Sequence, residues 1–410
     1  MNIRLGILSL LIVANLSGCA GLTHKLNPLN WFSSNVPVEK PAPLAQFKPI
    51  VTVTTHWEMH IGKNDNIAFT PAVAIDAVYV VSANGRFARI NPGDGKLVWS
   101  HKIAPQTSAN AEHVSWFGSF FQQKATAEIS AGVGANADNE FLGTRGAQLI
   151  AFDDAGKQLW ATTLSSEVLG VPKVSDSIVV VRTEDGFIYG LDIANGQQKW
   201  AYQHTLPELM LRSQPSVLII KGAIFAGYPG GKLVALSLDT GNMGWEAEVA
   251  IPRGASEIER VSDVGSTPVA DDNQVCATTY KGRVACFDTH TGNLLWARHI
   301  SSTIGLAMDD DNVYVSDDEG NVVAFDKAHG TSLWKQTLLH GRHITAPIRV
   351  GNYLAVGDLQ GYVHLLALDD GHFVGRGATD GTAIISQPQI YNNELVVQTA
   401  KGNVYALAFQ

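Results

Sequence analysis

The chain is poor in cysteine, in charge and in long apolar runs. Three cysteines in 410 residues cannot staple a fold of this length, so a disulfide-framework protein is excluded. Only 16% of residues are charged and 45% are hydrophobic, which excludes a disordered chain and supplies a large core. Lys and Arg number 29 against 38 Asp and Glu, a formal net charge of −9. The basic face that a reader of nucleic acid or of an anionic membrane surface requires is therefore missing. No apolar run approaches the roughly 20 residues of a membrane-spanning helix. Catalytic signatures are missing as well: GxSxG, HExxH, CxxC and a strand–GxGxxG–helix unit do not occur. His340 and His343 lack a third ligand nearby, and the runs Asp309–Asp311 and Asp317–Glu319 read as solvated turns. No catalytic residue, metal site or cofactor is assigned.

What is present begins at the amino terminus. Arg4 precedes an apolar run from Leu5 to Ala14, and Leu16-Ser17-Gly18-Cys19 follows. Ten apolar residues suit the core of a secretory signal. Small residues directly before a Cys resemble the lipobox of bacterial lipoproteins, in which the Cys is diacylated and becomes the first mature residue. An ordinary signal with an incidental Cys is the alternative, but charge, apolar run and Cys stand in lipoprotein order. Residues 1–18 are expected to be a lipoprotein signal peptide and Cys19 the lipidation site. Ala20, not Asp, follows the Cys, which in such lipoproteins favours release to the outer membrane. Pro28, Pro37, Pro41, Pro43 and Pro49 then interrupt any periodic pattern. Residues 19–50 read as the lipidated Cys and a Pro-rich extended tether, leaving 51–410 for the folded part.

Internal repetition decides the fold. From Gly320, alternating apolar residues lead to a turn with Gly330 and then to Trp334. The same spacing, Gly at +10 and Trp at +14, starts at Gly85, Gly146, Gly186, Gly231 and Gly282. It starts again at Gly361, with Gly375 in the Trp position, and a last copy begins at Gly402. Successive starts are 61, 40, 45, 51, 38, 41 and 41 residues apart. Pro71, Pro172, Pro268, Pro347 and Pro388 stand 14 residues before a repeat Gly, where a first strand tolerates a missing N–H. The period and the short alternating strands predict an all-β, eight-bladed β-propeller of four-stranded antiparallel blades. The eighth unit lacks its last strand. The N-terminal strand around Val51 to Glu58, carrying Trp57, is expected to supply it and close the ring. Seven blades or an open array are the alternatives. The regular offset of the tryptophans points to packing between blades rather than to a ligand site, and the repeat glycines need only turns with positive φ.

Units of a repeat fold carry function where they differ. Three connectors between blades stand out: Ser100 to Ile129, with Trp116-Phe117 and Phe120-Phe121; Ala201 to Gln214, with Leu209-Met210-Leu211-Arg212; and Glu246 to Thr267, with Arg253, Glu257, Glu259, Arg260 and Asp263. Equivalent connectors leave a propeller from one face. Apolar anchors beside Arg and carboxylates suit a protein-binding patch; the bland alternative is that they cap the ring. Cys276 and Cys286 flank a hairpin tip at Tyr280-Lys281-Gly282. Counting from the tip sets them opposite each other as a non-hydrogen-bonded pair, either a disulfide or two buried thiols.

These features together resemble the BamB family, lipoproteins of the bacterial outer-membrane β-barrel assembly (BAM) complex. The matching segments are Leu-Ser-Gly-Cys19, Trp116-Phe117 before Ile129-Ser130-Ala131-Gly132, Leu209-Met210-Leu211-Arg212, and Ser256 to Pro268. Leu338-Leu339-His340, Val356-Gly-Asp358 and Gly361-Tyr362 add to them. The resemblance implies a non-enzymatic scaffold on the periplasmic face of the outer membrane of a Gram-negative bacterium. It implies binding to the POTRA domains of BamA, a place among the other BAM components, and service to nascent outer-membrane proteins. The family's partner-contacting positions fall on Leu209, Leu211, Arg212 and Asp263. A second acidic residue usual two places after the last is Gly265 here, so that contact is expected to be absent or moved, with Glu259 the candidate. Asp263 is expected to orient Arg212 or to meet a partner cation. The rival readings are a quinone-dependent dehydrogenase and another ligand-binding periplasmic lipoprotein. The former shares the repeat but carries extra length, a calcium site and adjacent half-cystines, none of which is visible in this chain.

Overall fold

The computed structural model describes residues 40–64, 67, 69–103, 128–213 and 215–410, with Pro41–Gln410 as one compact unit. Cys19 and the aromatic residues of the first long connector lie outside the described residues. Among the described residues, 32 strands form eight four-stranded antiparallel sheets. Seven blades use contiguous chain: 72–102, 129–163, 168–203, 218–248, 269–299, 305–336 and 348–378. The eighth combines Gln389–Tyr391, Glu394–Gln398 and Asn403–Phe409 with Val53–His60 as its outermost strand. Val53 pairs with Phe409 and His60 with Asn403, so the N-terminal strand closes the ring as the repeat predicts. Closure leaves no open sheet edge at the joint.

The core lies between blades. Side chains alternate along a strand, and both faces of each blade are covered, so the middle strands read as unbroken apolar runs. In blade 1, Val78, Val80, Ala88 and Ile90 pack against Val396, Val404 and Ala406 of blade 8. Their neighbours Tyr79, Val81 and Phe87 pack against Val133, Leu142 and Ile150 of blade 2.

The repeat tryptophans latch the seams. The Nε1–H of Trp57 donates to the Pro92 carbonyl at 2.7 Å, and that of Trp99 to Asp154 at 2.7 Å. Trp160, Trp200, Trp245, Trp296 and Trp334 donate in the same way to Ile193, Leu238, Thr289, Lys327 and Leu368. Each bond crosses to the next blade, and the ring of each Trp lies under the turn glycine of that blade. A Cβ on Gly95 would stand 2.7 Å from Trp57, and one on Gly371 2.5 Å from Trp334. The +10 glycine is thus needed twice, for positive φ (69° at Gly95) and for the indole beneath it. Two of the repeat-start glycines depart from the expected turn. The positive φ falls on Ala147 rather than Gly146, and on Lys281 rather than Gly282, because those hairpin turns are set one residue away.

At the seam between blades 7 and 8 the latch is different. Ile50 and Val51 donate their N–H groups to the Val374 carbonyl at 2.8 and 2.9 Å, beside Gly375. Residues 41–50, expected to lie outside the folded part, therefore lie on the ring. Ala42 donates to the His340 carbonyl at 3.0 Å. Arg342 Nη1 donates to the Ala42 carbonyl at 2.8 Å, and Arg376 Nη2 to that of Ala45 at 3.0 Å. Phe47 stacks on Phe373 with centroids 5.4 Å apart. Beneath this strap, the buried Asp358 accepts from Arg342 Nε at 2.8 Å and from His364 Nε2 at 2.9 Å, while His364 Nδ1 accepts from Arg376 Nε at 3.2 Å. Burial lowers the His364 pKa, and the tautomer is set: Nδ1 is the acceptor and Nε2 carries the proton. Cys276 and Cys286 are register partners, both fully buried, and form a disulfide with Cα atoms 4.1 Å apart.

Candidate partner-binding face

The connectors between the outermost strand of one blade and the innermost of the next leave from one face, because four antiparallel strands return the chain to the same side. Two of the three irregular connectors can be followed there. The stretch after blade 3 carries Leu209 to Arg212. The stretch after blade 4 folds into a short helix, Glu257–Arg260, with a capping box in which Ser256 and Glu259 satisfy each other's backbone N–H groups.

Asp263 ties these connectors together. It is 2% exposed. Its Oδ2 accepts from the N–H of Leu211 at 2.6 Å and its Oδ1 from the N–H of Gly230 at 2.9 Å. Its own carbonyl accepts from Tyr280 at 3.0 Å. A carboxylate capping two backbone donors makes charge-assisted bonds and leaves little to offer a partner. Asp263 therefore does not orient the Arg212 side chain as expected. Glu167 does so: Arg212 Nη2 donates to Glu167 Oε2 at 3.0 Å, and Arg145 stands 3.7 Å from Glu167 Oε1. The Arg212 side chain stays 64% exposed and Leu209 43% exposed, whereas Leu211 is half-buried. So the structure brings Leu209, Leu211, Arg212 and Asp263 into one locality, in which Leu209 and Arg212 are exposed, Leu211 is half-buried and Asp263 holds the backbone from beneath.

Gly265 is buried between connectors, and a Cβ there would stand 3.6 Å from Ser213 and 3.7 Å from Thr303, ordinary contact distances. The position has room for a side chain that this sequence lacks. Glu259 is engaged within its own connector. Its Oε2 accepts from the N–H groups of Ala255 and Ser256 at 2.7 and 3.2 Å, bonds that hold its carboxyl below the ordinary value.

Several participants escaped the sequence reading. Ile251 and Ile258 are 55% and 69% exposed on the connector after blade 4, beside the charged residues that drew attention there. Glu167 stands alone in sequence, and only the fold sets it next to Arg212; His204 lies within the connector itself. His204, the first residue after the outermost strand of blade 3, stacks on Tyr228 with ring centroids 4.4 Å apart. It meets Glu246 Oε2 at 3.1 Å. Burial pushes the Glu246 carboxyl up, but the His204 and Lys232 contacts outweigh it and hold the group below its ordinary value.

The acidic turn runs fold onto themselves. Asp309 caps the N–H groups of Asp311 and Asn312, and Asp317 those of Glu319 and Asn321. Among the described residues, the carboxylate–histidine group that approaches metal-ligand spacing is Asp369, Asp370 and His372, all exposed, on a hairpin of blade 7. Exposed acidic turns of this kind carry no argument for a metal.

The family model described as "Outer membrane protein assembly factor BamB" matches residues 115–336 and 318–410. A protein of that name from Nitrosomonas eutropha is 39% identical over 415 residues, spanning 100% of this chain and 95% of its own length. The crystal structure of BamB from Moraxella catarrhalis superposes with a TM-score of 0.75 at 29% identity, covering 87% of this chain and 99% of that one. A quinohemoprotein alcohol dehydrogenase from Comamonas testosteroni superposes with a TM-score of 0.67 at 13% identity, covering 87% of this chain and 76% of that one, a likeness of fold alone. The long connectors, the latched eight-blade ring and these full-length relatives agree: the chain belongs to the family of the outer membrane protein assembly factor BamB.

Proposed function

We propose that this chain is a non-enzymatic scaffold for the assembly and insertion of β-barrel proteins into the outer membrane. It acts as a lipoprotein, anchored through Cys19 after removal of residues 1–18 and held on the periplasmic face by residues 19–40. Its partner is a BamA-type protein, engaged through the POTRA domains alongside other BAM components. Leu209 and Leu211 bury against the partner, and Arg212 makes charge-assisted hydrogen bonds to it. Asp263 acts from beneath, by holding the backbone that presents them.

The observation that carries this reading is the support under an exposed apolar residue. A buried carboxylate fixes the Leu211 amide, yet Leu209 beside it faces solvent. A connector that only capped the ring would turn its leucines inward. Rigid presentation of an apolar–Arg pair lowers the ordering cost of binding. The test is photo-crosslinking from positions 209 and 212 in detergent-solubilised envelopes. A BamA-type protein should be trapped from both positions; capture of unrelated proteins alone would sink the assignment.

A further inference from the structure

An extended segment with no strand partner is held by whatever groups other elements bring to it. Residues 41–49 form no strand, and Pro41, Pro43 and Pro49 bring no N–H. The prolines fix their own φ and push the residues before them, Lys40, Ala42 and Lys48, towards polyproline II geometry. That helix repeats every three residues, which puts the carbonyls of Ala42 and Ala45 on one side. Both are taken by ring side chains, Ala42 by Arg342 Nη1 at 2.8 Å and Ala45 by Arg376 Nη2 at 3.0 Å. The N–H of Ala42 donates to the His340 carbonyl at 3.0 Å. Among the described residues, no N–H from 43 to 49 bonds another backbone group.

The donors are set without any atom of the strap. Arg342 is 2% exposed. Its Nε and Nη2 are spent beneath, on Asp358 Oδ2 at 2.8 and 2.6 Å, and Nη2 also meets Gln360 Oε1 at 2.7 Å. Asp358 is fixed in turn by the N–H groups of Gln360 and Tyr362, each at 2.9 Å. Arg376 is held through Nε on His364 Nδ1, with its guanidinium 5.6 Å from the Phe373 ring and 5.0 Å from that of Phe47. Each guanidinium thus keeps an outward donor for a carbonyl, beside an aromatic shelf. Ala45 and Phe47 close over the core between blades 6 and 7. Aromatic-lined grooves hold proline-rich segments in the same extended geometry. The strap is also held apart from the closing strand. Its backbone partners lie at His340, Arg342, Val374 and Arg376, whereas Val53–His60 pairs with Asn403–Phe409.

We propose that the cleft over blades 6 and 7 is a peptide-binding site for an extended, proline-flanked segment. It reads two backbone carbonyls three residues apart and an aromatic side chain two residues beyond the second. Residues 41–47 are its resident ligand, held in cis and exchangeable for a segment of the same chemistry supplied in trans. The site is independent of the partner assigned above. A ligand tethered beside its site has an effective concentration on the order of mM, so a competitor enters when it is abundant or when the strap is weakened.

The test uses the full chain and a synthetic peptide of residues 40–49 carrying a photo-crosslinking benzophenone on the Phe47 ring. Phe47→Ala in the chain weakens the resident ligand and leaves the donors of the ring in place. At one peptide concentration this variant should capture about tenfold more peptide than the parent, as expected for the loss of one stacked, half-buried ring. The crosslink should fall on the segment containing Phe373. Unlabelled peptide should compete. The same peptide with Pro41→Gly and Pro43→Gly keeps the aromatic but loses the preset backbone, and should compete several-fold less well. In the parent, the amide of Ala42 should exchange at least about tenfold faster than the paired amides of Val53–His60, as expected for an element that opens by itself. Capture no greater in the variant than in the parent, equal competition by the glycine peptide, or opening of Ala42 together with the closing strand overturns the proposal. Loss of the fold in Phe47→Ala also overturns it, because Phe47 would then be core rather than ligand.

Discussion

The Val51 carbonyl occupies the space that a side chain on Gly375 would need: it lies 2.9 Å from where a Cβ would stand. Trp is replaced at that repeat position because the chain's own N-terminal segment takes the place of the indole. Gly375→Trp should expel residues 50–53 from blade 7 and weaken closure. A loss of about 1–3 kcal/mol, the range for overpacking, is expected by chemical unfolding, with new proteolytic cleavage before Val53. Unchanged stability and an uncut N-terminal strand would contradict this account of the seam.

Asp263 and Arg212 should separate in their effects. Asp263→Ala strands the amides of Leu211 and Gly230 and should cost about 3–6 kcal/mol, each lost bond to a charged group contributing about 1.5–3. Arg212→Ala removes an exposed ion pair and should change stability by less than 1 kcal/mol. Both should reduce crosslinking to the partner, the first by disordering the connector and the second by removing a contact. Thermal unfolding of the two variants distinguishes support from presentation.

The disulfide predicts a count and a cost. Under denaturing, non-reducing conditions Cys276 and Cys286 should contribute no free thiol. Replacing both by Ala should destabilise the ring by about 2–3 kcal/mol, in keeping with the short loop the bond closes. Two reactive thiols at these positions would exclude the bond.

Glu140 gives the ring a pH slope. It is fully buried at the seam of blades 1 and 2, and neither carboxyl oxygen has a hydrogen-bond partner. Burial raises its pKa from 4.5 to about 7, opposed by the nearby Tyr79 hydroxyl and Arg89 and assisted by Asp154 and Asp153. The folded state binds this proton more tightly than the unfolded chain does. Its contribution to stability therefore falls as pH rises from about 4.5 and levels off above about 7. Glu140→Gln should flatten that slope and be more stable than the parent at pH 8, by about 2–3 kcal/mol. Parallel stability–pH curves for the two proteins would refute the assignment.

The ring was legible because its determinants repeat. The Trp and Gly offsets recur from blade to blade with two exceptions, and the repeat-start Gly in all eight, so copies of one local pattern could be counted without knowing what touches what. That Trp57 lies under Gly95 of another blade was not legible, since the contact crosses a seam that no local pattern spans. The site was readable in part for the same reason. Leu209 to Arg212 interrupt the repeat and draw notice, but Asp263 capping the Leu211 amide spans two connectors that only the fold brings together. Glu167 carries no local signal at all. The strap misled because Pro41, Pro43 and Pro49 lack donors and argue against a sheet. Their carbonyl-rich surroundings remain good acceptors, and Arg342 and Arg376 take Ala42 and Ala45.

The closing strand has a consequence for the order of folding. Blades 1–7 can each form from contiguous chain, but blade 8 cannot, since His60 and Asn403 stand 343 residues apart. Joining them costs chain entropy that no neighbouring contact offsets until the rest of the arc is in place. Val53–His60, among the earliest strands to be made, is therefore the last to find its partner. Until then it is an unpaired edge beside an incomplete arc, open to pairing with the wrong chain. The demand for a chaperone should concentrate on that strand, and variants that delay the final blade should aggregate through it before they fail anywhere else.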